Sequence, residues 1–539
     1  MESYSLTCHL KSYIQPFERI LAVKELEALT GHTPVARPSL DNDPLDFTVI
    51  SPKPHSYLAN RLTYWESIAP EAELVPNLFT RQVCREATTN LVRNGISSEE
   101  LQSQLPFQGQ IPLENRRNLR YGPHGIHEYR GKFFPQLVRS LLNIANTTSK
   151  SKILDPMCGS GTTPTEAVLL GHHAYGIDLN PLSVLVSQTK CDILAVDPER
   201  LVSDYEYLKE DLLNQSGSQN SELIWLKSLE PKTKEYLSNW FAPDILAQLD
   251  PIMARIEQVA NVACRNLFKV SLSNIIRKVS WQKNDDLRVR REIRTDIDVD
   301  VLAEFLNELN RSVKTILALL YQNQDFEVGR ATIAQGNTQF AKRLFPDLVG
   351  QIDAIVTSPP YATALPYLDT DRLSLYYFGL LSRPKHRQLD YDMIGNREVT
   401  NGRRQRYWGE YHNNRGSLPD DIISVIDIIH KLNSNSDAGF RRRNLPSLLA
   451  RYFLDMRQVF EMFTEMLRPG APAYVVVGNN HTIAGGQRIE IETDNLLAQL
   501  GEAVGLKLEE QVSMEMLISR DIFKKNASNA ETILFFRNG

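Results

Sequence analysis

The chain has little cysteine, no surplus of charge of one sign and no long apolar run, and each shortage excludes something. Lys and Arg number 60 against 65 Asp and Glu, a formal net charge of −5 over 539 residues. A uniformly basic coat for a polyanion is thereby excluded, and any such contact has to come from local patches. The five cysteines, Cys8, Cys84, Cys158, Cys191 and Cys264, stand far apart and form no CxxC pair or Cys/His cluster. A disulfide framework and structural zinc drop out, no metal is expected, and a reducing cytoplasm is the expected compartment. No stretch of about 18 consecutive apolar residues occurs, and MESYSLTCHLKSYIQPFERI lacks the basic-then-apolar order of a signal peptide. No membrane partner is expected. What is present is an apolar content of 42% with 23% charged residues, ordinary for a globular chain with a large core.

Residues 1–110 mix short apolar runs with Pro-containing stretches such as HTPVARPSLDNDPLD, and predict a separate, partly irregular N-terminal module. Within it, SSEELQSQL places Ser ahead of Glu as in a capped helix start. The pattern changes after Arg116. KFFPQLVRSLLNIA has helical spacing, KILDPMCGSGTTPTEAVLLG reads as strand, Gly-rich turn and helix, and HAYGIDLN reads as a second strand before another helix. Such alternation predicts a doubly wound α/β fold with a parallel sheet. Residues 192–326 interrupt it with a charged, helix-rich insertion. It resumes with ATIAQGN and IDAIVTSPPY, breaks for a polar and basic insertion at 385–445, and ends with a long amphipathic helix and the strands APAYVVVGNN and AETILFFRN. The expected core is 111–191, 327–384 and 446–539.

In ILDPMCGSGTTPTEA, Asp155 ends a strand, Gly159 and Gly161 permit a tight turn, and a helix begins near Thr162. A turn of this kind is expected to offer bare backbone N–H groups and a helix N-terminus to a ligand. Phosphate is the obvious competitor, but neither Gly-Lys-Ser/Thr nor GxGxxG is present. An acid at the strand end would repel a pyrophosphate and suits an ammonium. Asp178 follows Asp155 by 23 residues, the offset of an acid that takes ribose hydroxyls beside the first turn. A ligand with an amino-acid part and a ribose is implied, and S-adenosyl-L-methionine fits.

DPMCGSGTT, then GIDLNP, then TSPPY resembles the amino-directed DNA methyltransferases, in particular those acting on cytosine N4. The match spans roughly 115–380 with the strands near 473–479 and 530–536, and implies a Rossmann-like methyltransferase sheet. HEYRGKFFPQLV resembles the segment that closes over the cofactor in these enzymes, which implies roles for Lys132 and Phe133. Met157 departs from the family, where an aromatic is usual, but leaves an apolar cofactor contact. Asn337, in the loop after ATIAQ, is implied beside the adenine. The tetrapeptide Ser358-Pro359-Pro360-Tyr361 matches the family's catalytic motif in its Ser form, the one associated with cytosine N4.

The chemistry agrees with the motif. The lone pair of an exocyclic amine is delocalised into its ring, and acceptors for its two N–H groups draw it back toward the nitrogen. Ser358 Oγ and the Pro359 carbonyl are two such acceptors, held stiff by proline, and Tyr361 offers a face to an extruded base. Cys158 lies in the cofactor turn and not in a Pro-Cys element, which argues against carbon-5 chemistry. Arginine gathers in RVRREIR (with Arg288, Arg290 and Arg291), in REVTNGRRQRYWGEYHNNR (with Arg397, Arg403, Arg404 and Arg406) and in FRRRN. Double-stranded DNA is the expected partner, contacted mainly through phosphates, with Tyr407 and Trp408 interleaved. The second patch follows the catalytic loop in an insertion too long for an ordinary loop. The expected function is site-specific cytosine-N4 methylation in a restriction–modification system, with a cognate endonuclease acting separately. The competing readings are adenine-N6 methylation, guanine-N2 methylation of RNA, and a non-catalytic DNA-reading subunit. His124 and His127 are expected to pack or hydrogen-bond and not to bind metal.

Overall fold

The computed structural model describes residues 3–38, 44–71, 77–105, 107, 110–129, 133–215, 223–283, 290–293, 299–324, 326–362, 367–396, 399–434, 439–515 and 530–539. An antiparallel sheet opens the chain, formed by β1 (Tyr4–Leu10), β2 (Val35–Ala36), β3 (Asp46–Ser51), β4 (Trp65–Pro70) and β5 (Leu78–Phe79) in the order β2-β3-β1-β4-β5. The central sheet uses β6 (Lys152–Asp155), β7 (His173–Asp178), β8 (Arg330–Gln335), β9 (Ala354–Thr357) and β10 (Pro472–Gly478). A hairpin of β11 (Asn480–Ala484) and β12 (Gln487–Ile491) follows, and β13 (Leu506–Glu515) and β14 (Ala530–Asn538) return to the central sheet. Its order is β13-β14-β10-β9-β6-β7-β8, with β14 antiparallel to both its neighbours and β6 to β10 mutually parallel.

The order in which strands are added reverses at β6, which has β7 on one side and β9 on the other. In open α/β sheets the crevice outside the carboxyl ends at such a point is where ligands bind. The strands are apolar on both faces, as burial between two layers requires. Leu154, Ile355, Val475 and Phe536 face a layer built on the helices Phe440–Met466 and Thr493–Ala503. Their neighbours Ile153, Val356, Val476 and Phe535 face the opposite layer.

That opposite layer takes in part of the N-terminal segment. Leu6 and Leu10 of β1 and Leu21 and Leu26 of helix Pro16–Thr30 belong to the same apolar cluster as Ile153, Val356 and Val476. Residues 6–68 thus carry a sheet of their own and share apolar contacts with the core. Lys24 reaches across to Glu510 of β13 at 2.7 Å. The Ser97 cap is present, its hydroxyl accepting from Glu100 N at 3.1 Å ahead of helix Ser98–Gln104.

The 192–326 insertion is helical, and its apolar cluster takes in Leu182 and Val186 from the helix Pro181–Asp192 that follows β7. The 385–445 insertion is helical too, through Arg383–Asp392, Asn401–Asn414 and Asp420–Ser434. Ile422, Ile426 and Ile429 make one apolar stripe in the last of these and bury it in the cluster of helix Phe440–Met466. No described helix is long and apolar enough to cross a membrane.

Candidate active site

β6 ends at Asp155, and the chain turns through Pro156–Gly161 into helix Thr162–Leu169. Gly159 and Gly161 have φ of +48° and +79°, left-handed values that a side chain resists. The expected row of bare N–H groups is not what this turn offers. Met157 N donates to Asp155 Oδ1 at 3.2 Å, Cys158 N to the Ile177 carbonyl at 3.0 Å, Gly159 N to Asp178 Oδ2 at 2.9 Å, and Gly161 N to the Cys158 carbonyl at 2.8 Å. From below, Lys190 Nζ donates to the Ser160 carbonyl at 2.7 Å. The turn is stitched into one rigid shape before any ligand arrives.

Two glycines that look alike in the sequence do different work. A Cβ on Gly159 would stand 3.1 Å from the Tyr129 ring, which covers this part of the turn. A Cβ on Gly161 would stand 2.2 Å from Ser187 Oγ and 2.8 Å from Ser187 Cα. Gly161 thus lets two helices touch and is not among the residues that line the cleft onto which the turn opens. Asp155 does not line it either. It is buried, and Oδ1 accepts from Thr357 Oγ1 at 2.7 Å, so it braces the cofactor turn against the end of β9. Burial pushes its carboxyl up to about 7 despite the hydrogen bonds from Thr357 and Met157.

The turn opens onto a cleft. Met157, Cys158, Gly159 and Thr162 line it from the turn, Asp178, Leu179 and Asn180 from the end of β7, Gly336 to Thr338 from the end of β8, and Ser358 and Pro360 from the end of β9. Tyr129 and Phe133 cover one side, and Asp392, Met393 and Ile394 of the second insertion another. Asp178 also accepts from Asn180 N at 2.8 Å, and burial raises its carboxyl to about 6. These walls suit an adenosyl group. Met157, Phe133, Met393 and Ile394 are apolar surfaces for a purine, and Asp178 presents an acceptor to a diol. Asn337 borders the cleft while capping its own loop through Gln339 N at 2.9 Å.

The proline pair ends β9 because neither ring nitrogen can donate to the ladder. Ser358 and Pro360 enter the cleft wall, Pro359 is buried, and Tyr361 turns the other way, toward β10 and β14. Its hydroxyl donates to Glu531 Oε1. The tetrapeptide thus lines the cleft with Ser358 and Pro360 and turns Tyr361 toward β10 and β14.

Behind the site lies a buried ionic set. Glu166, in the helix that begins at Thr162, accepts from Tyr121 Oη at 2.6 Å, His124 Nε2 at 2.8 Å and Arg139 at 3.2 Å. Burial alone would raise its pKa; the hydrogen bond and charge of His124, with Arg139 and Arg85, hold the carboxyl down to about 2. Removing one partner from such a set costs about 3–5 kcal/mol. It moors the segment leading to Tyr129 and Phe133 onto the cofactor helix. His127 is likewise a hydrogen-bonding residue, 3.2 Å from Ser273 Oγ.

The basic residues divide. Arg291 is exposed and donates one hydrogen bond to the Asn239 carbonyl at 2.8 Å, at the end of helix Pro231–Ser238. Arg403 stacks on Tyr391, 3.8 Å from the ring centroid, and Arg406 pairs with Glu410 at 2.8 Å. Arg404, half-buried like Arg403, lies in the same first turns of helix Asn401–Asn414, where Arg406 is exposed. Tyr407 and Trp408 are not interleaved for stacking on DNA. The Tyr407 hydroxyl meets Arg451 at 3.0 Å, and Trp408 packs on His430 with centroids 4.2 Å apart. Lys132, Arg288 and Arg397 lie outside the described residues. Sequence reasoning missed Tyr129 and Asn180, although both lie inside quoted motifs, and it had no signal for Asp392–Ile394. Among the described residues no group of three or more His, Cys, Asp or Glu could hold a metal ion.

The comparisons with known proteins fall on the same elements. A family model described as UPF0020, RMKL-like methyltransferase domain, matches residues 127–198. The type II methyltransferase M.MvaI of Kocuria varians is 23% identical over 401 residues, covering 70% of this chain and 80% of its own. The type II methyltransferase M.BsoBI of Geobacillus stearothermophilus is 21% identical over 418 residues, covering 71% and 78%. A solved structure described as a putative DNA modification methylase of Thermus thermophilus, complexed with S-adenosyl-L-methionine, aligns over 16% of this chain and 37% of its own. At 15% identity and a TM-score of 0.14 that alignment carries no weight. Along about 70% of its length this chain is similar to type II DNA methyltransferases, which supports S-adenosyl-L-methionine as its cofactor.

Proposed function

We propose that the protein methylates the exocyclic N4 of cytosine in double-stranded DNA at a specific site, in the cytoplasm, as the modifying partner of a separate restriction endonuclease. The observation that carries the reading is Ser358-Pro359-Pro360-Tyr361 at the end of β9, with Ser358 and Pro360 in the wall of the cofactor cleft. S-adenosyl-L-methionine supplies an electrophilic methyl group on sulfur. The chain does the rest. Ser358 Oγ and the Pro359 carbonyl accept the two N–H groups of the amine and return its lone pair to nitrogen. The target base has to leave the duplex to reach them, and Tyr361 is the face on which it stacks. Mass analysis of nucleosides from DNA incubated with protein and labelled cofactor tests this. N4-methylcytosine is expected. N6-methyladenine would overturn the choice of base, and label found only in RNA, or in neither polymer, would overturn the activity.

Asp178 takes the ribose hydroxyls in this reading, and its ionised form is the better acceptor. Its carboxyl in the free protein titrates at about 6 because of burial. Cofactor affinity is therefore expected to be full above pH 6 and to fall as the pH drops below it. Asp178→Asn should remove that pH dependence and weaken binding by roughly tenfold or more, the scale of hydrogen bonds to a charged group. Calorimetry between pH 5 and 8 reads both effects, and an unchanged profile in the variant would remove Asp178 from the cofactor site.

For DNA, Arg404 and Arg406 are the contacts that the start of helix Asn401–Asn414 offers, since an exposed pair such as Arg406–Glu410 holds its arginine weakly. Arg404→Ala/Arg406→Ala should lower the salt slope of DNA binding by about one ion per lost phosphate contact. Cofactor affinity should stay as it was. A slope that changes with Arg290→Ala instead would move the interface to the first insertion.

A further inference from the structure

Tyr361 is held on the side away from the cofactor, and what holds it is specific. β14 runs antiparallel to β10, so its first residues lie at the same rim as the end of β9, and Gly478 is directly opposite Glu531. The Tyr361 ring lies over Gly478 so closely that a Cβ there would be 3.0 Å from the ring. The Tyr361 hydroxyl donates to Glu531 Oε1. This rim is itself pinned from behind. Thr532 Oγ1 donates to Asp494 Oδ2 at 2.7 Å, and Asp494 N donates to Asn479 Oδ1 at 3.0 Å. The seat therefore has a floor without a side chain, a polar anchor at the far end of the ring, and a frame that cannot drift.

We propose that Glu531 is a positioning residue of the methyl-transfer site, which with Gly478 sets the plane of the Tyr361 ring against which the target base stacks. This rests on the reading of Tyr361 as the base-stacking residue. A ring pivoting about its Cα–Cβ bond sweeps its face through several ångströms. A hydroxyl tied at the para position removes that freedom, and small misplacements at a reacting centre are costly in rate. Burial raises the Glu531 pKa and the bond from Tyr361 opposes the rise, as expected for a carboxyl kept at the rim for one partner. No other assignment in the site uses it.

The test measures kcat, KM for unmethylated phage DNA, and cofactor affinity for Tyr361→Phe, Glu531→Ala, Glu531→Gln and the double variant Tyr361→Phe/Glu531→Ala. Tyr361→Phe and Glu531→Ala should each lower kcat by about tenfold, the scale of one buried hydrogen bond. The double variant should be no slower than either single one, because one hydrogen bond is lost in all three. Glu531→Gln keeps an acceptor oxygen and should recover most of the rate, with cofactor affinity unchanged throughout. Losses that multiply in the double variant would overturn the proposal, as would a full rate in Tyr361→Phe, which decides alone if Glu531→Ala does not fold. Tyr361→Ala separates the two levels. A full rate there removes the base-stacking reading itself, whereas a large loss there beside full rates in Tyr361→Phe and Glu531→Ala removes this inference only.

Discussion

Ser358→Ala is expected to cut turnover on the order of a hundredfold or more while leaving cofactor affinity nearly intact. The size follows from the chemistry. Without Ser358 Oγ one N–H of the amine loses its acceptor, the nitrogen stays conjugated with its ring, and the Pro359 carbonyl has to act alone. The cofactor hardly notices, because its main polar contact on this reading is Asp178, across the cleft at the end of β7. Tyr361→Ala should show the same separation for a different reason, since it removes the stacking face. Single-turnover rates with labelled cofactor, beside calorimetry, measure the two quantities independently. Full turnover in both variants would mean that transfer happens elsewhere in the molecule.

The second large effect is on folding. Gly161→Val is expected to destabilise the protein by roughly 3 kcal/mol or more, through a left-handed backbone that a β-branched residue resists and through overpacking. The added Cβ lands 2.8 Å from the Ser187 Cα, a backbone atom in the middle of helix Pro181–Asp192, so no rotamer change relieves it. Cofactor binding will be lost with the fold and will report nothing about contact. Gly159→Ala is the informative neighbour. Its Cβ meets only the edge of the Tyr129 ring, so the fold should survive while the cleft is disturbed. Urea unfolding of the two variants distinguishes them, and a Gly161→Val protein as stable as wild type would refute the packing argument.

The same pair of glycines shows how far the sequence could be read. Spacing in DPMCGSGTT announces a tight turn between strand and helix, but which glycine faces a ligand depends on where helix Pro181–Asp192 crosses, a long-range fact. Asp155 misled for a similar reason, since its partner Thr357 is 202 residues away. The strands β6, β7, β9, β10 and β14 were legible because strands buried on both faces are short apolar runs bounded by Gly, Pro or Asn. β13 was not. Its sequence LKLEEQVSME is half polar, as an edge strand with one exposed face should be. The Tyr361–Glu531 bond joins residues 170 positions apart and left no trace in either segment.

Residues 6–68 share their apolar cluster with the central sheet, and that restricts how enzymes of this plan can be re-engineered. Without them helix Pro135–Ile144, which packs on β9 on one side and on helix Pro16–Thr30 on the other, would turn an apolar face to water. Those residues cannot be exchanged as a cassette to retarget the enzyme. The helices between 401 and 434 are better suited to grafting, since they meet the rest largely through one stripe laid on helix Phe440–Met466. A replacement confined to 401–434 would leave Met393 and Ile394, which line the cofactor cleft from the same insertion, in place.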